Sequence, residues 1–79
     1  MAQYFFHLRD GTDILLDPDG RNLDGPQAIR AAAIREARSI ISHDVLDGTI
    51  MLNRHIDVED GAGEFVERVC FGDAVNIVH

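Results

Sequence analysis

The sequence predicts an α+β domain, ββαββ, in which one helix packs across an antiparallel sheet of about four strands. Three observations carry this. Residues 4–9 and 54–59 alternate apolar and polar side chains with period two; the turn signals Asp10-Gly11, DPDG (17–20) and DGAG (60–63) punctuate the flanking runs; and a single long alanine-rich amphipathic stretch lies between them. The 79 residues suffice for one core, so residues 1–79 are expected to form a single domain.

In the first strand, Tyr4, Phe6 and Leu8 point one way while Phe5, His7 and Arg9 point the other. After Asp10-Gly11, Ile14–Leu16 supplies a second strand that ends at the DPDG turn, and Arg21–Leu23 is a short run able to extend the pairing. Asp24 stands as an N-cap, with Gln27 at the capping-box position and Pro26 in the first turn, where no backbone donor is needed. Ile29, Ala33, Ala37, Ile40 and Ile41 then form one helical stripe, the alanines Ala31 to Ala33 allow close approach to a sheet, and Gly48 is the stop. Arg54–Glu59 reads as a third strand, with Ile56 and Val58 on one face and His55, Asp57 and Glu59 on the other. Glu64–Phe71 reads as a fourth, with Phe65, Val69 and Phe71 in one phase and Val66 and Cys70 in the opposite one, unless a bulge shifts the register. The stretch from Asp73 to His79 fits either a last helical turn or an edge strand.

Composition narrows the function classes. Fourteen acidic residues against seven arginines, with no lysine, give a net charge of -7, which works against binding phosphate backbones. The one candidate basic patch, Arg30, Arg35 and Arg38, reads as a solvated helix face. Cys70 is the only cysteine, so an internal disulfide is excluded and a reducing compartment is expected. Neither a signal-peptide pattern nor an apolar run of membrane-spanning length is visible, so the expected setting is cytoplasmic, without membrane contact.

The combination of YFFHLRDG, the DPDG turn, the alanine-rich helix and the closing RHIDVEDGAGEFVERVCFGDAV resembles a family of short proteins of unknown function found in rhizobia and related alphaproteobacteria. The resemblance spans nearly the whole chain. It implies a small stand-alone bacterial domain and brings no activity, cofactor or catalytic residue with it.

The chemical motifs fare poorly on spacing. His7, His43, His55, His79 and Cys70 lack the close pairing of a zinc site, although His7, His55 and Asp57 meet on one face if the first and third strands are neighbours. The DPDG turn has acids suggestive of a calcium loop, but Leu15 occupies a position that needs an oxygen ligand. Gly61-Ala62-Gly63 is followed by a strand, whereas a dinucleotide loop opens a helix. Ser42-His43-Asp44 are consecutive on a helix and so diverge. No catalytic, cofactor or metal site is expected.

What remains is a small acidic interaction or adaptor domain, expected to form a homodimer and to engage a protein partner. The interface candidates are Phe5, His7, Leu15, His55, Val66 and Cys70, assigned to the sheet face that one helix leaves uncovered, with His7 at its rim. An alternative is an antitoxin-like regulator binding a basic partner, because the hairpin, helix and further strands are similar to the partial RNase-fold domains of HicB-type antitoxins.

Overall fold

A computed structural model describes residues 2–78. Its elements run β1 (Ala2–Asp10), β2 (Asp13–Leu15), β3 (Arg21–Leu23), α1 (Pro26–Leu46), β4 (His55–Asp60), β5 (Phe65–Cys70) and α2 (Phe71–Ala74). All strand pairings are antiparallel, in the order β2-β1-β4-β5, and β3 pairs β1 as well. The expected α+β architecture is therefore present, with Arg21–Leu23 as a strand in its own right and a fifth member of the sheet.

β1 organises the sheet because it is long enough to take two partners along one edge. β2 pairs with its last residues and β3 with its first. The chain must cross from one to the other past Phe6 and His7, where neither short strand pairs. Asp17 fills that interval. Its carboxylate accepts the backbone N–H of Phe6 (3.1 Å) and those of Asp19 (3.1 Å) and Gly20 (3.2 Å), while its own N–H donates to His7 Nδ1 (3.0 Å). A side chain thus does for the mid-strand N–H what a neighbouring strand does elsewhere in a ladder.

The turn closes on Gly20, whose φ of 71° suits glycine. A Cβ there would lie 2.9 Å from Phe5 Cε2 and 3.0 Å from the Tyr4 carbonyl oxygen, so the backbone packs directly onto β1.

The helix begins one residue later than a cap at Asp24 requires. Gly25, at φ 96°, is the N-cap residue, its carbonyl accepts the Ile29 N–H (3.2 Å), and among the described residues no side chain caps the first turn. Asp24 lies one residue outside the position from which its carboxylate would reach those donors, and Pro26 removes one donor outright. The stop falls where glycine predicts it. Gly48 N–H donates to the Val45 carbonyl and Thr49 N–H to the Asp44 carbonyl, the paired bonds of a Schellman motif. Ile29, Ala32, Ala33, Ala37 and Ile41 are buried against Phe6, Ile56, Val58, Val69, Phe71 and Ala74, with Ile40 and Leu8 packed at the margin. The small alanines let the helix approach the sheet closely.

Between α1 and β4 the chain is held by Arg54, a buried residue whose type gave no sequence signal. Its guanidinium pairs with Asp44 and lies 4.9 Å above the Phe71 ring, and its carbonyl accepts the Phe71 N–H at 3.0 Å. One side chain therefore joins the end of α1 to the start of α2. Arg38 adds a second link, donating from Nε to the Ala74 carbonyl at 2.7 Å. Phe71, read as the end of the last strand, instead opens α2 and is fully buried. Residues 75–78 continue without regular structure, and His79 lies outside the described residues.

The glycines of the two turns make a controlled comparison. Gly11 also has positive φ (62°), but a Cβ there meets no described residue within 4 Å. Gly11→Ala should cost roughly 1 kcal/mol from the left-handed backbone alone, whereas Gly20→Ala should cost roughly 2–4 kcal/mol because crowding against β1 is added. Urea unfolding of both variants measures the difference; equal losses would contradict the close packing of the turn on β1.

Candidate functional site

The sheet has two faces of different chemistry. α1 covers one. Strand register arranges the other as rows of cross-strand neighbours: Phe5, Glu59 and Phe65; His7, Asp57 and Arg68; and Ile14, Arg9, His55 and Cys70.

Asp57 is the hub of this open face and is only 3% exposed. Arg68 grips it with two hydrogen bonds, from Nε at 2.7 Å and from Nη2 at 3.2 Å. Arg9 Nε is 2.8 Å from Oδ2, the oxygen that Arg68 Nη2 also reaches, but is poorly aligned, so that contact acts through charge more than as a directed hydrogen bond. His55 Nε2 stands 3.7 Å away. Because Arg9 comes from β1 and Arg68 from β5, the carboxylate ties three strands, and a one-residue slip of β4 would move it to the helix side.

His7 lies on this face, as its phase requires, but it is buried and so is not a rim residue. The crossing of the β2–β3 connection brings the Asp17 N–H onto Nδ1, Phe5 stacks beside it with ring centroids 6.4 Å apart, and Glu59 Oε1 lies 3.3 Å from Nε2. An N–H donated to Nδ1 makes that nitrogen the acceptor and leaves the ring proton on Nε2, facing the carboxylate. His7 is thus a strut between the connection and the sheet. His55 is half-buried beside Asp57, two residues along β4, and the pairing of β1 with β4 sets His7 opposite Asp57 and Arg9 opposite His55. Among the described residues no three His, Cys, Asp or Glu side chains gather as a metal site.

Two of the interface candidates sit elsewhere than their phase suggested. The two-residue connection at Gly11 and Thr12 pairs Leu8 with Leu15, which puts Leu15 on the helix side and Ile14 on the open face. In β5, Val58 pairs with Glu67 while Glu59 pairs with Phe65, so Val66 is the inserted residue of a bulge. The bulge takes Phe65 out of phase with Val69 and onto the open face, where it is 59% exposed and lies 5.8 Å below the Arg68 guanidinium. Cys70 is exposed in the corner, next to His55. The open face is accordingly more charged than the alternation suggested, with its exposed apolar side chains at its two edges, Ile14 on β2 and Phe65 on β5.

On the helix side the β2–β3 connection stands away from α1 and leaves a cleft of about 410 Å³. Phe6, Leu8, Ile40 and Ile56 line it, Leu15 and Leu16 flank it, and Asp17, Asp19, Arg21 and Glu36 complete its wall. Arg21 is paired with Glu36 at 2.5 Å and lies over the Phe6 ring.

A family model described as a domain of unknown function, DUF6894, matches residues 3–72. The chain belongs to the DUF6894 family. No curated protein and no solved structure matches it. The span matched by the DUF6894 model runs from β1 into α2, so it takes in the Asp17 turn, the Asp57 hub and the cleft alike. Among the described residues no helix is long and apolar enough to cross a membrane. Of the three arginines on the polar face of α1, Arg30 is paired with Glu67 (2.9 Å) and Arg38 with the Ala74 carbonyl, so two of them are engaged within the fold.

Both hub carboxylates of this DUF6894 domain titrate below the ordinary value of 3.8. Burial pushes each upward. For Asp57 the Arg68 hydrogen bonds and the charges of Arg68, His55 and Arg9 outweigh it; for Asp17 the N–H groups of Phe6, Gly20 and Asp19 and the charge of Arg21 do so. A folded-state value below the unfolded one contributes stability above the unfolded value, and that stability is lost as pH falls through the folded value. Asp57→Ala should therefore lose about 1–3 kcal/mol at neutral pH, at the low end for a broken buried pair because both arginines reach solvent. The gap to wild type should hold down to about pH 5 and narrow below about pH 4. Urea midpoints across this range measure it, and a gap independent of pH would contradict the role assigned to the Asp57 charge.

Proposed function

We propose that the chain is a non-catalytic protein-interaction domain that works as a homodimer, with the open face at the β5 side as its contact. The observation that carries this is Phe65. A bulge turns a large aromatic side chain outward next to Val66, on the face that α1 leaves uncovered, and Cys70 is exposed at the far end of the same strand. Exposed aromatic area beside an outer strand marks a contact surface. Glu59 lies in the row with Phe65, and Arg68 and Arg9 lie in the next two, so the surface around the aromatic side chain carries both signs of charge. Phe5, His55, Val66 and Cys70 remain interface residues in this reading. His7 supports the surface from beneath, and Leu15 belongs to the cleft. A reducing, cytoplasmic setting suits the exposed thiol.

An antitoxin-like role toward a basic partner is a second reading, and its support is the acidic wall of the cleft.

Light scattering coupled to gel filtration should give twice the 8.8 kDa chain mass at micromolar concentration, and Phe65→Asp should give a folded monomer. A monomeric wild type, or a Phe65→Asp variant that still dimerises, would overturn the proposal.

A further inference from the structure

We infer that the cleft between α1 and the β2–β3 connection is a docking groove for an extended segment of a basic partner protein, one that carries an aliphatic side chain next to arginine or lysine. This deepens the antitoxin-like reading by stating the chemistry of the segment, and it stands independently of the dimer.

The apolar half of the groove is built from Phe6, Leu8, Ile40 and Ile56, and its lips are open. Leu15 is 69% exposed and Leu16 63% exposed, although both flank an apolar floor. A soluble domain gains nothing from holding two adjacent leucines in water, and their position beside a recess provides a seat for an incoming apolar side chain. At about 410 Å³ the recess accommodates a few side chains.

The polar half determines the sign of the partner. Three carboxylates, Asp17, Asp19 and Glu36, line the cleft against the single guanidinium of Arg21; Glu36 engages Arg21 and Asp17 is taken up by backbone N–H groups, which leaves Asp19 as the carboxylate open to a partner. The excess is negative, on a chain of net charge -7. A second copy of the chain would bring further negative charge, whereas a basic segment is attracted at a distance and paired on arrival. β2 and β3 also leave a gap in the ladder beside the cleft, so the wall is a connection that meets β1 chiefly through Asp17 and Gly20.

The test uses the full chain, labelled with nitrogen-15, and a synthetic peptide of alternating leucine and arginine. Peptides of alternating leucine and glutamate and of alternating serine and arginine serve as controls. The leucine-arginine peptide should shift the amide signals of Leu15, Leu16, Asp19, Gly20 and Arg21, and both controls should bind more weakly. Leu16→Ser should weaken binding roughly tenfold, as loss of a buried leucine implies. Asp19→Asn should weaken it roughly threefold, an effect that fades as salt is added. Both positions are exposed, and circular dichroism checks that each variant is folded. The inference is overturned if the leucine-arginine peptide does not bind, if the shifts map to other acidic surfaces, if the serine-arginine peptide binds equally well, or if Leu16→Ser binds unchanged. None of these outcomes bears on the mass of the dimer, so the two proposals fail separately.

Discussion

The middle of the first strand has no strand beside it on its outer edge, and the carboxylate of Asp17 takes that place. Four hydrogen bonds of this half of the molecule follow from that substitution. By accepting the Phe6 N–H, Asp17 satisfies a backbone donor that would otherwise be left in the gap between β2 and β3. By accepting from Asp19 and Gly20 it closes its own turn, and by donating its N–H to His7 it fixes the imidazole on the opposite face. Hydrogen bonds to a charged acceptor contribute about 1.5–3 kcal/mol each, against a net stability for a domain this small of only a few kcal/mol, so one side chain carries a substantial share.

A second carboxylate plays the corresponding part on the other side of β1. Asp57 is buried between arginines from the strands on either side, and this arrangement keeps the open face polar while specifying its register. Ion pairs of this kind are weak sources of stability, because desolvation offsets most of the attraction. With Asp57, Arg9 and Arg68 engaged with one another across the middle of the face, its exposed apolar side chains lie at the edges, Ile14 on β2 and Phe65 at the β5 bulge. On the helix side, Leu15 at the end of β2 and Leu16 after it stay exposed just ahead of the Asp17 turn. The two candidate contact surfaces lie beside the two charged hubs because each hub governs where its neighbouring chain can run.

Much of this was legible in the sequence, and the boundary is instructive. The alternation of Tyr4, Phe6 and Leu8, the stripe from Ile29 to Ile41 and the glycine stop at Gly48 are local signals, and local structure followed them. Alternation alone does not fix the face of Leu15, because side-chain phase across a hairpin depends on the length of the turn; a two-residue turn at Gly11 and Thr12 pairs Leu8 with Leu15 and sets it on the helix side. Phe65 needed the position of a bulge, which DGAG and the run after it do not reveal. Asp24 looked like a cap because its spacing to Gln27 fits, yet Gly25 reached the required geometry first. Arg54 and the long-range role of Asp17 left no trace at all, since their partners are ten and eleven residues away and only the folded chain brings them together.

The most direct test of the central claim is an NMR titration that follows the Asp17 side-chain carboxyl carbon together with the amide protons of Phe6, Asp19 and Gly20 as pH is lowered. All four should report one common transition, below the ordinary aspartate value of 3.8, with the Phe6 amide moving upfield as its charged acceptor is lost. A Phe6 amide indifferent to the protonation of Asp17, or an Asp17 carboxyl that titrates at the ordinary value, would contradict it.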